Sequence, residues 1–118
     1  EHLKSGSNEV VIYNEYKFAM ITKKKKKKFT LKDIVKKFSL DTDIILIEGL
    51  KKGPNKKIEV YRDSIKKPLL CQRDKNIKAL IFDKVTPKIS QISLPKFHID
   101  ETKKIGSFIL KEIKNEKK

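Results

Sequence analysis

The stretch Asp43-Ile44-Ile45-Leu46-Ile47-Glu48-Gly49-Leu50-Lys51 limits the folds open to this chain. Four consecutive aliphatic residues, three of them β-branched, are bounded by an aspartate and by Glu48-Gly49. This pattern predicts a short strand buried on both faces, at the centre of a parallel sheet. An acidic residue at the carboxyl end of such a strand, followed at once by glycine, stands where open α/β sheets bind ligands. Glu48 is therefore the first candidate for chemistry. The same residues would also arise if Glu48 simply opened a polar loop, because position alone does not assign a role.

At 118 residues the chain has room for one domain, with roughly two-thirds of its unfolded surface buried. Its hydrophobic fraction of 37% is low and its charged fraction of 38% is high, yet the apolar residues fall in periodic segments, which argues against disorder outside the ends. A net charge of +15 suggests nucleic acid or an anionic membrane surface. Against nucleic acid, only Arg62 and Arg73 among the 30 basic residues are arginine, the side chain whose bidentate and stacking geometry suits such sites. No apolar run approaches the roughly 20 residues of a membrane span and no signal-peptide pattern is present, so a soluble cytoplasmic protein is expected. Cys71 is alone, which excludes an intrachain disulfide framework and a multi-cysteine metal site. Its neighbours Leu69 and Leu70 predict a small buried residue. The chain opens at Glu1 without methionine, on helix-like residues without a cap, and we expect a fragment whose amino-terminal part is absent.

Leu3 and its charged neighbours resemble the last turn of a helix ended by Gly6. Residues 10–22 carry two β-prone runs around Asn14-Glu15, with Tyr16, Phe18 and Met20 at period two, and predict a β-hairpin. Tyr13 and Tyr16 beside its turn would stabilise the strands or offer a stacking platform for bases. Lys23 to Lys28 is an unbroken lysine run, expected as a solvated loop and otherwise an anion-attracting patch. Residues 30–114 form the expected helix-strand core and final helix. Leu31, Ile34, Val35 and Phe38 make one stripe of an amphipathic helix, capped by Thr30 with Asp33. Beyond Gly49 the Gly53-Pro54-Asn55 sequence marks a loop, and no glycine is followed by Lys-Ser or Lys-Thr as a phosphate-binding loop requires. Lys57 to Tyr61 alternates as a strand with Ile58 and Val60 toward the core, Pro68 to Cys71 reads as extended, and Ile77 to Phe82 as a further strand ending in Asp83. Val85 to Lys96 reads as loop. Asp100 would cap a last helix with core stripe Ile105, Phe108, Ile109 and Ile113, in which Gly106 suggests a close packing contact. His2 and His98 lack metal-ligand spacing and read as surface residues, and no serine, histidine and carboxylate arrangement can be assembled.

The central motif, with Lys57-Ile58-Glu59-Val60-Tyr61-Arg62 after it, resembles the signature of the molybdopterin-guanine dinucleotide biosynthesis protein B family, MobB. There an aliphatic strand ends in Glu-Gly-Phe-Lys and is followed by Pro-Lys-Ile-Glu-Val and an arginine. Here Leu50 replaces the phenylalanine and Lys56 stands where the proline would be. His2-Leu3-Lys4-Ser5-Gly6-Ser7 looks like the family stretch that ends in Ala-Gly-Ala, and Leu94-Pro95-Lys96-Phe97 with the last helix is similar to its carboxyl end.

The resemblance implies an α/β fold of the P-loop NTPase type: a mostly parallel sheet flanked by helices, with a β-hairpin, here a single partial domain over residues 1–118. It implies a GTP-binding accessory protein of molybdenum cofactor biosynthesis, using GTP and Mg2+ and handling molybdopterin. The partner would be a MobA-type molybdenum cofactor guanylyltransferase and the state a homodimer. The family's phosphate loop precedes Glu1, so a weak GTPase activity would belong to the longer protein and this chain alone would be inactive. Glu48 would sit near magnesium or the attacking water, Gly49 would let backbone approach the phosphates, and Lys51 matches the family's lysine. Asp83 could face the base, on position alone. The competing reading is a non-enzymatic basic module that attaches to RNA or acidic surfaces through Lys23 to Lys28.

Overall fold

The computed structural model describes residues 6–24 and 27–116. The chain divides into two units, Glu1–Gly49 and Leu50–Lys118. The expectations on His2 to Ser5 and on Lys25 and Lys26 lie outside the described residues.

In the first unit, β1 (Glu9–Tyr13) and β2 (Phe18–Thr22) pair antiparallel, and the hairpin expected from the alternating runs forms. Asn14 shapes the turn, its side-chain oxygen accepting from the amides of Tyr16 and Lys17. Both Tyr13 and Tyr16 are exposed. Next comes a short helix, α1 (Leu31–Val35). Its start is the expected capping box: the Asp33 amide donates to Thr30 Oγ1 at 3.1 Å and the Thr30 amide to the Asp33 carboxylate at 3.0 Å. That bond from the Thr30 backbone holds the Asp33 carboxyl below its ordinary value. Lys24 of the lysine run is engaged within this unit, 3.7 Å from the Asp33 carboxylate and over the Phe29 ring.

The stretch 44–47 departs from expectation. Among the described residues it joins no ladder, and Leu46 is 78% exposed. A parallel strand is stable only with hydrogen-bonding neighbours and cover on both faces. Within its own unit the described residues give this stretch only the apolar side of α1 and the turn after it.

The second unit is built around β4 (Ile77–Phe82), which lies between β3 (Lys57–Tyr61) and β5 (Lys96–His98), parallel to both. This is the expected α/β class, a parallel sheet flanked by helices. Ile77, Ala79, Leu80 and Ile81 are buried, as the central position demands. One face carries Tyr61 and Leu80, packed against Leu69 and against Ile89 of α2 (Pro87–Ser90). The other carries Phe97, whose ring meets Phe108 of α3 (Thr102–Glu116) at 5.5 Å. The α3 stripe is as expected: Ile105, Phe108, Ile109 and Ile113 are all partly buried.

Six local expectations meet a different structure. In β3 the alternation is inverted: Glu59 and Tyr61 are buried while Val60 is 59% exposed at the sheet edge. The physical reason is that both Glu59 carboxylate oxygens accept backbone amides, from Leu70 at 2.8 Å and Cys71 at 2.7 Å. A carboxylate so supplied is cheap to bury. Those amides belong to a one-turn 3-10 segment, Leu70–Gln72, in place of an extended piece, and Cys71 within it is half-buried, with burial pushing its thiol up to about 11. Residues 87–90 are helical, not loop, because Thr86 accepts the Ile89 amide and Pro87 suits the first turn. Asp100 forms no cap bond to α3; its amide donates to His98 Nδ1 at 3.2 Å. Gly106 has open space where a Cβ would be, so no close contact demands it.

Candidate functional site

Glu48 and Gly49 end the first unit, and Lys51 and Asp83 belong to the second. Glu48 lines a groove of about 230 Å³ between α1 and residues 45–47, and its side of the groove is the polar end of an otherwise apolar wall. Gly49 has φ +83°, a conformation that favours glycine, and nothing lies within 4 Å of where its Cβ would be. The backbone there is thus open to approach. A larger hollow, about 430 Å³, opens at the hairpin turn between Tyr13, Tyr16 and Phe18, and neither Glu48 nor Gly49 lines it. Lys51 is exposed in the loop before β3.

Asp83 follows the last residue of β4 and is held from two sides. Its Oδ1 accepts the Asp63 amide at 3.0 Å, tying the end of β4 to the chain leaving β3. Its carbonyl oxygen lies 3.0 Å from His98 Nε2, tying the same point to the end of β5. His98 is not the free surface residue expected: it is half-buried, with its ring edge-on to Phe82 at 5.8 Å. Around this edge Asp63 bonds Lys66 at 3.0 Å and Glu101 bonds Lys104 at 2.8 Å, and these lysines hold both carboxyls below their ordinary values. The carboxyl ends of parallel strands are the ligand-binding side of open α/β sheets, and here they collect Asp63, Asp83, Lys84 and His98. Sequence reasoning placed Asp83 at this edge and missed His98, although Phe97-His98-Ile99 after Pro95 carries the β-prone signal of a short strand.

Among the described residues no three His, Cys, Asp or Glu side chains come together as a metal site. Magnesium is commonly held through one or two carboxylates with phosphate oxygens and water completing its shell. A lone exposed carboxylate at Glu48, beside an open glycine backbone, suits that shared mode and no self-contained metal centre.

Residues 1–83 match the family model described as molybdopterin guanine dinucleotide synthesis protein B. A Bacillus subtilis protein named "Probable molybdopterin-guanine dinucleotide biosynthesis adapter protein" is 35% identical over 77 residues, covering 65% of this chain and 43% of that relative. The chain thus spans less than half the length of the curated relative it matches. The matched family region includes Glu48, Gly49 and Lys51 and ends at Asp83, while β5, His98 and α3 lie beyond it.

Proposed function

The chain belongs to the molybdopterin guanine dinucleotide synthesis protein B family, and from that premise we propose that it serves molybdopterin guanine dinucleotide formation as a GTP-binding accessory protein. The observation that carries this reading is the family match over residues 1–83, which takes in Glu48-Gly49-Leu50-Lys51 and the β3 sequence and ends at Asp83. In this role the chain supplies one half of a nucleotide site. Glu48 receives a magnesium ion or its bound water, and the left-handed turn at Gly49 lets main chain lie against phosphate. Lys51 adds positive charge beside the phosphates, and Asp83 takes the base side. Magnesium, when bound, neutralises phosphate charge; the chain's own work is to position and to hold charge. Phosphate recognition itself belongs to the family's phosphate loop, amino-terminal to the matched strands. The guanylyl transfer falls to a MobA-type molybdenum cofactor guanylyltransferase, beside which this protein acts as a homodimer, and molybdopterin is handled at that joint surface. Among the described residues no helix is long and apolar enough to cross a membrane, which fits a cytoplasmic place for this work.

Titration calorimetry with GTP and Mg2+ tests the reading. The complete gene product is expected to bind GTP in a magnesium-dependent way, and residues 1–118 alone to bind it weakly and hydrolyse none. Glu48→Gln keeps the side-chain size and removes its charge, so a folded variant of the complete product should lose magnesium dependence. Magnesium dependence unchanged in that variant would remove Glu48 from the site, and micromolar binding by residues 1–118 would overturn the division of labour.

A further inference from the structure

We propose that His98, in its Nε2–H tautomer, is the positioning residue for Asp83: it fixes from the β5 side the carboxylate that the nucleotide reading places against the base. The inference rests on that reading for its purpose and on geometry for its mechanism. The backbone ladder between β4 and β5 runs out at the Phe82 and His98 pair, where the Ile99 amide donates to the Phe82 carbonyl at 2.8 Å. The next carbonyl, that of Asp83, has no β5 amide left to accept. His98 supplies the donor from its side chain, with Nε2 at 3.0 Å. On the opposite flank the ladder between β3 and β4 ends at Tyr61 and Phe82, and there the Asp83 side chain continues it, Oδ1 taking the Asp63 amide. Asp83 is therefore pinned by its main chain on one side and its carboxylate on the other, which leaves Oδ2 as the oxygen to meet a ligand.

The tautomer follows from the partners. A carbonyl oxygen can only accept, so Nε2 must carry the proton. Nδ1 then offers a lone pair to the Asp100 amide, the donor 3.2 Å away, while the solvent-exposed Asp100 carboxylate lies farther from the same nitrogen, at 3.4 Å. The ring is oriented further by the edge-on Phe82 contact and by Glu101, which takes the His98 amide at 2.9 Å. Two substitutions separate the halves of this device. Gln places a side-chain N–H where Nε2 stands and can keep the bond to Asp83, whereas Asn reaches only as far as Nδ1.

The experiment has two readouts. Long-range nitrogen–proton NMR of residues 1–118 reports the His98 tautomer, and amide exchange reports the protection of the Asp63 N–H. The Nε2–H form, with Asp63 protection kept in His98→Gln and lost in His98→Asn, is the expected result; an Nδ1–H imidazole or equal protection in both variants overturns the proposal whatever the nucleotide does. In the complete gene product, GTP affinity should fall roughly tenfold in His98→Asn and stay near wild type in His98→Gln, the scale of one buried hydrogen bond lost. Equal affinities in the two, where Asp83→Asn does weaken binding, also overturn it. Binding untouched by Asp83→Asn removes Asp83 from the nucleotide and with it the positioning purpose, while the NMR result tells whether the clamp itself exists.

Discussion

The aliphatic runs Ile44–Ile47 and Ile77–Phe82 read alike and end alike, in an acidic residue after a string of β-formers, yet they meet different fates. Ile77–Phe82 has a parallel strand on each edge, the Leu69 and Ile89 side chains on one face and α3 on the other flank, and Leu80 is wholly buried. Ile44–Ile47 has α1 on one side and, among the described residues, no ladder. The difference shows that a hydrophobic run states a demand for neighbours and does not itself supply them. In the second unit that demand is met within residues 50–118.

The hardest blow to this contrast compares Leu80→Ala with Leu46→Ala in denaturant unfolding. The first should cost about 2–5 kcal/mol, as for a buried leucine that leaves a cavity, and the second within about 0.5 kcal/mol, as at exposed positions. Comparable losses would show that residues 44–47 are buried in the protein in solution, and the contrast would fall.

Next in size is Glu59→Gln. One amide oxygen can still accept a backbone N–H, but the amide nitrogen then faces the other donor, so about 1–3 kcal/mol of stability should go. A silent Glu59→Gln would mean that the Leu70–Gln72 turn is held by its apolar contacts alone.

Acid sharpens the contrast further. The carboxyls of Asp63, Asp74 and Glu101 in the second unit are lowered chiefly by bonds from Lys66, Lys57 and Lys104, and Asp33 in the first chiefly by the Thr30 amide. A depressed carboxyl contributes stability that is fully present above its unfolded value and is lost as pH falls through its folded value. Stability should therefore hold at neutral pH and decline below the ordinary carboxylate range, with the larger share of that loss in residues 50–118. Removing the three partners, Lys57, Lys66 and Lys104, should flatten the decline, and a pH profile left unchanged would exclude these pairs as its source. The smallest effect is expected for the lysine run. Among the described residues, changing Lys23 to Lys28 to serine and glycine removes the exposed Lys24 contacts to Asp33 and Phe29, and the melting midpoint should hardly move.

Legibility in the sequence followed the range of the forces involved. The Thr30 and Asp33 box, the hairpin around Asn14, the Ile77–Phe82 strand and the α3 stripe depend on residues a few positions apart, and each was readable. The phase of β3 was not, because Glu59 is buried for the sake of two amides that the chain brings back eleven and twelve residues later. Thr86 before Pro87 did carry a helix-start signature, overshadowed by the second proline at 95. At the candidate site, Asp83 at the end of β4 was readable from pattern, whereas the strand expected before Glu48 does not form among the described residues. The role of His98 could not be read, since it exists only where two parallel strands end side by side.

The parallel register has a consequence in time. Tyr13 meets Phe18 across a tight turn, and hairpins of this kind close in about 1–10 μs. Lys57 must wait for Ile77, and Leu80 for Lys96, each across a long connection. At about 5–20 residues synthesised per second, β3 emerges from the ribosome about a second or more before β4 follows it. Through that interval the hairpin is already closed, and β3 is still an unpaired segment of nascent chain.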